Sequence, residues 1–342
     1  MTRAEYLGGG KFAVTADVPT EPGPGEVRLS VAYTGICGTD LHIVHGHMDR
    51  RVAVPGVIGH EMSGRVAALG TGVTDWSVGD PVSVMPLDWC GRCPACRAGH
   101  THICHRLNFI GIDSPGSMQS SWTVPADVLV PLPPDLPLHH AALVEPTAVA
   151  VHDVRRARVQ PGERVVVVGA GPVGLLIALV ARASGAEVLV VELDPRRRKV
   201  CASLEFPVLD PNADDVPASV NDWTDGAGAA AAFEVSGSAS GVALDTSVLA
   251  TRGRFVLVAI HATPREVDLH RFFWRELELI AVRVYQRTDF LEAVEFIARG
   301  EVPIETVVSK ILPLAEVAQA FDDLERGTGV VKLLLDCRAE TS

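Results

Sequence analysis

Four cysteines lie within one short stretch of the chain, at Cys90, Cys93, Cys96 and Cys104. Zinc takes four thiolate ligands in a tetrahedral arrangement at closed, structural sites. The spacing therefore predicts a structural zinc lobe over residues 88–106. Two alternatives stay open. Four unliganded cysteines would leave reactive thiols in a long loop, and an iron–sulfur cluster would not match the usual ferredoxin spacing.

A second set of residues can hold a catalytic metal ion. Cys37, His60, Glu61 and Glu145 together offer one thiolate, one imidazole and two carboxylates. A catalytic zinc uses three protein ligands and keeps one position open for water or substrate. Each residue alone is more commonly a core or surface side chain, so spacing by itself leaves both interpretations open.

A glycine-rich motif, Gly-Ala-Gly-Pro-Val-Gly, starts at Gly169 and follows a run of β-branched residues. The first glycine permits a tight turn, the second lets the backbone approach a pyrophosphate, and the third lets a helix pack closely on the strand. The N-terminus of that helix presents unpaired N–H groups to the phosphates. The alternative is a glycine turn in an ordinary strand–helix–strand unit. The residues predicted to contact a dinucleotide are Gly169, Gly171, Pro172, Val173 and Gly174.

The identity of the dinucleotide depends on the end of the next predicted strand. Glu192 lies there, and its carboxylate can accept hydrogen bonds from the ribose hydroxyls of NAD and repel the 2′-phosphate of NADP. The basic run from Arg196 to Lys199 instead favours NADP, because arginines can bind its 2′-phosphate. We interpret the run as a solvated first helical turn with Arg197 over the adenine ring. NAD is therefore the predicted cofactor, and NADP is the alternative.

The elements that must position these residues are of two kinds. Early in the chain, alternating segments such as residues 26–33 and repeated Pro-Gly turns predict an antiparallel barrel or sandwich. After the proline-rich residues 131–137, β-branched strands alternate with helices, which indicates a doubly wound parallel sheet. We predict a single helix over residues 138–156 and a closing strand over residues 330–335.

Composition sets outer limits on the function. The chain has 342 residues, 47% of them apolar and 21% charged, with a net charge of −12. These values predict about two globular domains and argue against disorder and against nucleic acid or membrane as a partner. The apolar residues 165–181 are too few to span a bilayer and are interrupted by glycine and proline. Seven cysteines and no secretory signal at the N-terminus predict a cytoplasmic protein without a disulfide framework.

Together these motifs resemble the zinc-dependent medium-chain dehydrogenases/reductases of the alcohol dehydrogenase superfamily along the whole chain. The resemblance is greatest to the branch that contains polyol (sorbitol), 2,3-butanediol and threonine dehydrogenases. The matching segments are Gly35-Ile-Cys-Gly-Thr-Asp40, Gly59-His-Glu-Met-Ser-Gly64, the four-cysteine lobe, Glu145-Pro146, the glycine motif and Val284-Tyr-Gln-Arg-Thr-Asp-Phe290.

The resemblance implies an α/β two-domain fold. A GroES-like β-barrel catalytic domain would comprise residues 1–147 and 286–342, and a Rossmann domain with the doubly wound sheet would comprise residues 148–285. It implies two zinc ions per chain, one structural and one catalytic. It also implies a homo-oligomer, either a tetramer or a dimer.

Residue roles follow from the same resemblance. Cys37, His60 and Glu61 would lie at the catalytic zinc, with Glu145 as a ligand either directly or through water. Asp40 would orient the histidine ligand. Two further residues would handle the proton of the alcohol: Thr39 would receive it from the substrate, and His42 would pass it towards solvent.

The expected reaction is hydride transfer between NAD(H) and a secondary alcohol or ketone, with a polyol, vicinal diol or sugar-derived alcohol as the small-molecule substrate. Sorbitol itself is disfavoured, because Ile43 and Val284 stand where sorbitol enzymes usually carry an aromatic residue and an arginine. Threonine dehydrogenases carry aspartate where this chain has Glu145. The alternatives are a threonine 3-dehydrogenase-like enzyme, an NADP-dependent ketone reductase, a zinc-free reductase and a non-catalytic nucleotide-binding protein.

Overall fold

A computed structural model describes residues 1–327 and 330–338. The chain forms two compact units, one built from residues 1–145 together with residues from 286 onwards, and the other from residues 146–285. Residues 328, 329 and 339–342, which belong to the predicted segment 286–342, lie outside the described residues.

Strands outnumber helices in the first unit and alternate with helices in the second. In chain order they are β1 Thr2–Gly8, β2 Lys11–Ala16, β3 Glu26–Gly35, β4 Glu61–Leu69, β5 Pro81–Val84, β6 Leu87–Asp88, β7 Asn108–Phe109, β8 Ser121–Pro125, β9 Leu129–Pro131, β10 Arg164–Val168, β11 Glu187–Val191, β12 Val208–Leu209, β13 Ala229–Glu234, β14 Leu249–Leu257, β15 Glu278–Ala281, β16 Val308–Pro313 and β17 Lys332–Asp336.

Three helices of the first unit have only four residues each, whereas every helix of the second unit has at least seven. In chain order they are α1 Gly38–Val44, α2 Pro94–Arg97, α3 Leu138–Ala141, α4 Val144–Ala157, α5 Pro172–Ala183, α6 Pro195–Ser203, α7 Val216–Trp223, α8 Ala239–Val248, α9 Leu269–Arg275, α10 Arg287–Ala298, α11 Ile304–Val307 and α12 Val317–Glu325.

The main sheet of the first unit has the strand order β16-β17-β3-β4-β5-β9, and β8 also pairs with β3. Its pairs are antiparallel except for β16 with β17. The alternation predicted for residues 26–33 is that of β3, whose inward side chains Val27, Leu29 and Val31 are fully buried. The central position of β3 brings the ends of β4 and β17 to either side of it.

The second unit has one parallel sheet with the order β12-β11-β10-β13-β14-β15. The order reverses between β10 and β13, and open α/β sheets bind ligands beyond the carboxyl ends of the strands at such a point. The strands β10 and β11 are runs of buried valine and leucine, as expected for strands covered on both faces. The predicted α/β fold class with a doubly wound parallel sheet is confirmed.

The single helix predicted over residues 138–156 is wrong. The structure divides it into α3 and α4, with residues 142 and 143 between them. Pro146 lies in the first turn of α4, where its missing N–H would have no intrahelical partner, so it does not interrupt the helix. This division leaves Glu145 in the first turn of α4 rather than at the middle of a long helix.

The apolar residues 165–181 form most of β10, the glycine turn and most of α5. Within residues 1–327 and 330–338, no helix has the length and the apolar character that crossing a membrane requires.

Candidate functional site

The three residues Cys37, His60 and Glu61 converge at the end of β3. Cys37 precedes α1 directly, and the antiparallel register pairs Gly35 of β3 with Glu61 at the start of β4. One ligand atom from each of the three residues lies within 4.8 Å of the others. His60 and Glu61 are buried, whereas Cys37 is half-buried, so the group opens towards solvent only on the thiol side.

Asp40 lies between the backbone of Cys37 and the imidazole of His60. Its Oδ2 accepts a hydrogen bond of 2.9 Å from the backbone N–H of Cys37, which fixes the turn into α1. Its Oδ1 lies 3.7 Å from Nδ1 of His60. Neither of these two atoms has a hydrogen-bond partner among the described residues. The carboxylate is therefore placed to hold the ring so that the other nitrogen, Nε2, is available to a ligand.

Lys332 is a member of this site that the sequence analysis missed. Its ammonium, almost fully buried, forms an ion pair with Glu61 and donates a 2.9 Å hydrogen bond to the carbonyl oxygen of Ile36. A single lysine within the apolar run of β17 was the available signal, because a lysine is rarely buried without a partner.

The site carries an excess of negative charge. Burial by itself lowers the pKa of His60, but the charges of Asp40, Cys37 and Glu145 outweigh it and raise that pKa well above its usual value. Burial likewise lowers the pKa of Lys332, and the negative groups around it again produce a net increase. A buried site that stabilises positive charge in this way suits a metal cation, and its thiolate, imidazole and carboxylate donors are those of zinc.

Glu145 is buried in the first turn of α4 and is not a member of the 4.8 Å cluster. Its charge nevertheless contributes to the raised pKa values of both His60 and Lys332. This arrangement places Glu145 in the surroundings of the cluster.

Thr39 and His42 lie on α1, three residues apart and therefore on neighbouring positions of one helix face. Both are half-buried. The Nδ1 atom of His42 is 3.3 Å from Nδ1 of His47. Burial, together with the nearby rings of His47 and His45, lowers the pKa of His42, so its ring is neutral and able to accept a proton near pH 7.

The four lobe cysteines surround one point. The Sγ atoms of Cys93 and Cys104 are 3.8 Å apart, and those of Cys104 and Cys90 are 3.5 Å apart. A zinc ion with four sulfur ligands at about 2.3 Å requires sulfur separations of about 3.8 Å. Backbone N–H donors hold the pKa of the Cys93 thiol at about 6, whereas burial and neighbouring thiols raise the pKa of Cys96 to about 12. The sulfurs thus have both the spacing and the N–H···S contacts of a structural zinc site.

The glycine motif forms the turn between β10 and α5. Gly169 has a φ of +102°, which a residue with a side chain rarely adopts. A side chain at Gly174 would collide with the carbonyl oxygen of Gly169, so the third glycine is required for the helix to start this close to the strand. Gly171 precedes α5, and Pro172 and Val173 form its first turn.

Glu192 closes this turn from the side of β11. Its Oε2 accepts a 2.6 Å hydrogen bond from the N–H of Ala170, and its Oε1 accepts a 2.8 Å bond from the N–H of Asp194. Arg197, in the first turn of α6, has its guanidinium next to Gly171. A carboxylate and a guanidinium therefore border the glycine turn together.

A second polar group at this sheet edge was also missed from the sequence. Glu234 ends β13 directly beside Val168, the last residue of β10. Its Oε2 lies 2.9 Å from Nε2 of His261, and Nε of Arg265 donates a 3.2 Å bond to Nδ1 of the same histidine. No sequence spacing connects these residues, because they meet only through the parallel pairing of β10, β13 and β14.

Two family models match the chain. The alcohol dehydrogenase GroES-like domain matches residues 23–134, and the zinc-binding dehydrogenase model matches residues 172–299. The first match contains the Cys37 cluster and the cysteine lobe, and the second starts within the glycine motif.

Similar proteins cover nearly the full chain. A 2-dehydro-3-deoxy-L-galactonate 5-dehydrogenase of Pseudoalteromonas atlantica is 48% identical over 99% of this chain and 100% of its own length. An L-galactonate-5-dehydrogenase of Escherichia coli is 32% identical over 88% of each chain. A crystal structure of a zinc-binding dehydrogenase from Sinorhizobium meliloti bound to NADP superposes with a TM-score of 0.93 at 27% identity, covering 98% of each chain.

Proposed function

The chain belongs to the zinc-dependent medium-chain dehydrogenases of the alcohol dehydrogenase superfamily, and from this membership we propose that it oxidises a secondary hydroxyl of a sugar-derived acid with NAD. The observation that carries the proposal is the buried convergence of Cys37, His60 and Glu61. Within the polyols and sugar-derived alcohols expected from the sequence, we favour sugar acids as the substrate class. Two similar proteins, one of them 48% identical, are named as dehydrogenases of galactonate or of a galactonate derivative.

In the proposed site, Cys37 and His60 would bind zinc, and Glu61 or Glu145 would supply a further oxygen, directly or through water. The bound ion would supply a Lewis acid that lowers the pKa of the substrate hydroxyl. Asp40, whose Oδ1 lies 3.7 Å from Nδ1 of His60, would orient the ring through the attraction between their charges. Lys332 compensates the charge of Glu61 within the protein, so that this carboxylate is held at the edge of the cluster.

Thr39 and His42 serve the proposed reaction as a proton path. The Thr39 hydroxyl is both donor and acceptor, so it can take up the substrate proton while passing on its own. His42, kept neutral by its lowered pKa, accepts that proton. The contact of His42 with His47, an exposed residue, gives the proton a path to solvent.

We assign the catalytic role to residues 1–147 and 286–342 and the cofactor role to residues 148–285. The nicotinamide cofactor would supply the hydride acceptor. Gly171 and the start of α5 present backbone N–H groups suited to its pyrophosphate. NAD is favoured because the Glu192 carboxylate lies against the turn, where a 2′-phosphate would meet its charge.

The cysteine lobe is proposed to hold a second, structural zinc ion through Cys90, Cys93, Cys96 and Cys104. All seven cysteines of the chain are free thiols. Thiols of this kind persist in a reducing compartment, which supports a cytoplasmic location for the enzyme.

A homo-oligomer, a dimer or a tetramer, is proposed on the basis of an exposed apolar surface around the edge strand β15. Phe273 and Trp274 on α9 are 74% and 69% exposed, and Leu279 on β15 is 53% exposed. Monomeric proteins rarely leave such groups of large side chains in water. The unpaired edge of β15 provides main-chain donors and acceptors for a second copy.

The test is a substrate panel with a metal-quantified sample. Sugar acids such as galactonate, polyols, vicinal diols and 3-hydroxy amino acids are compared with NAD and with NADP by absorbance at 340 nm. We expect the highest kcat/KM with a sugar acid and NAD. A clear preference for threonine would establish the threonine dehydrogenase alternative, and cofactor binding without turnover of any alcohol would indicate a non-catalytic protein.

A further inference from the structure

A third group of metal-binding side chains lies on the first unit, apart from the two sites described above. His139 and His140 are adjacent residues of α3, and Glu305 belongs to α11. One ligand atom from each of the three lies within 4.8 Å of the other two. We propose that this group is a peripheral site for a divalent transition-metal ion of the zinc and nickel class.

The distances between the histidine nitrogens and the Glu305 carboxylate fit a bridging metal ion better than direct hydrogen bonds. Nε2 of His139 is 3.7 Å and Nε2 of His140 is 3.6 Å from the same oxygen, Oε1 of Glu305. Both separations are too long for an N–H···O hydrogen bond. Ligands at about 2.0–2.1 Å from a tetrahedral zinc ion are about 3.3–3.4 Å apart, so a small inward shift of the carboxylate would complete the coordination.

The cysteine lobe gives a comparison within the same structure. Its sulfur separations of 3.5 and 3.8 Å are within a few tenths of an ångström of those a zinc ion requires. The two nitrogen–oxygen separations in the cluster of His139, His140 and Glu305 deviate from the zinc-bound value by a similar amount. The lobe and the cluster therefore resemble each other in how closely their donor spacing matches a bound ion.

The two histidines are held in place before any ion binds. The hydroxyl of Ser63 donates a 2.5 Å hydrogen bond to the carbonyl oxygen of Leu138, which fixes the start of α3 to β4. The ring of His139 also packs edge-on against Tyr33, with 5.9 Å between the ring centres. Glu305, whose side chain is 86% exposed, is free to adjust its position. The anchored start of α3, the packed His139 ring and the adjustable carboxylate make a site that is accessible to solvent and therefore exchangeable.

The donor set selects the type of metal. Imidazole nitrogen favours zinc, nickel, copper and cobalt, whereas magnesium and calcium prefer oxygen ligands only. Three protein ligands leave at least one position for water. The site is independent of the proposed dehydrogenase activity, because none of its residues belongs to the Cys37 cluster or to the cysteine lobe.

The experiment measures nickel binding to the untagged, zinc-loaded enzyme by equilibrium dialysis with elemental analysis. The double variant H139A/H140A should bind one nickel ion fewer per chain than the wild type. Glu305→Gln should lower the affinity for that nickel ion by about tenfold or more, since even groups that only support a metal ligand contribute that much to the affinity. His270→Ala is the matched control, because it removes an imidazole from the exposed helix α9 and should leave the number of bound ions unchanged.

The possible results distinguish a metal site at His139, His140 and Glu305 from its absence. An equal number of nickel ions, with equal affinity, in the wild type and in H139A/H140A would overturn the proposal. Should the double variant fail to fold, Glu305→Gln alone decides, because its exposed side chain can change without disturbing the core. Zinc content and turnover, measured in parallel, report on the proposed dehydrogenase site, so failure of one proposal is distinguishable from failure of the other.

Discussion

The ammonium of Lys332 and the carboxylate of Glu61 form a buried ion pair across β3, which lies between their own strands β17 and β4. The pair passes over Gly35, which is register partner to Glu61 and to Leu334. The absence of a side chain on the middle strand therefore allows charges from the two outer strands to meet. Through this pair, β17, near the end of the chain, supports a residue of the proposed metal site.

Replacement of Lys332 by methionine should destabilise the protein strongly. Methionine fills a similar volume, but it leaves the carboxylate of Glu61 buried without its partner, and a broken buried pair costs about 3–5 kcal/mol. Chemical denaturation of the purified enzyme measures the change in the free energy of unfolding. Lys310→Met is the matched control, since Lys310 pairs with Asp323 at the surface and its loss should destabilise the protein far less. If both variants lost the same free energy of unfolding, burial would not be the reason why the Lys332–Glu61 pair matters for stability.

Gly35→Ala should disturb the same pair from the middle strand. The new methyl group would overlap the Glu61 carboxylate and press on the side chain of Lys332. Overpacking of this kind costs about 1–3 kcal/mol, which thermal unfolding can measure. Gly38→Ala is the control, because the added methyl meets no atom within 4 Å. A Gly35 variant as stable as the Gly38 variant would show that the pair relaxes without cost.

Cys37→Ala should abolish turnover while leaving the fold intact. The variant loses the thiolate ligand of the proposed catalytic zinc, so we expect one zinc ion per chain instead of two and a fall in kcat of at least about a hundredfold. Elemental analysis, steady-state kinetics and thermal unfolding provide the three measurements. Cys201→Ala, which removes a buried thiol of α6, should retain both zinc ions and the activity. Full activity in the Cys37 variant would rule out the proposed chemistry.

Glu192→Ala should move cofactor preference towards NADP. The carboxylate lies beside the glycine turn, so its removal ends the repulsion of a 2′-phosphate and leaves Arg197 and its neighbours to bind it. We expect the ratio of kcat/KM for NAD to that for NADP to fall by roughly tenfold or more, which corresponds to about 1.4 kcal/mol. Glu187→Gln changes an exposed carboxylate at the other end of β11 and should leave the ratio unchanged. An unchanged ratio in the Glu192 variant would remove the argument for NAD.

Local spacing predicted the parts of the molecule that act through neighbours in sequence. The four lobe cysteines fall within fifteen residues of one another, and the glycine turn needs only a strand, three glycines and a helix. These features depend on turn and helix geometry, which is already encoded in short segments. The roles expected for His60, Glu61 and Asp40 came instead from the family resemblance, because spacing alone left the interpretation of these residues open.

Features that depend on strand order were not predictable from spacing. Lys332 reaches Glu61 only because β17 and β4 both pair with β3. Glu234 and His261 meet only because β13 and β14 are parallel neighbours. The alanine-rich start of β13 also gave no strand signal, since alanine has a low β propensity, and burial between β10 and β14 outweighs that preference.

Asp245→Asn should stabilise the protein, and more so as the pH rises. Asp245 lies fully buried in α8, and neither of its carboxylate oxygens has a hydrogen-bond partner among the described residues. Burial and the charge of Glu234 raise its pKa well above the usual value, so the folded protein keeps this carboxyl protonated where the unfolded chain, with a pKa of about 3.9, has lost the proton. The folded state then binds more protons, and the stability of the wild type falls with rising pH between these two pKa values. Asparagine removes that dependence.

The measurement is the difference in unfolding free energy between Asp245→Asn and the wild type at pH 4 and at pH 8. We expect a small difference at pH 4 and a clear stabilisation of the variant at pH 8, because only the wild type must take up a proton on folding at that pH. Asp222→Asn, on the exposed side of the preceding helix α7, should show no such trend. A difference that is the same at both pH values would mean that Asp245 ionises alike in the folded and unfolded states, and the raised pKa would then be wrong.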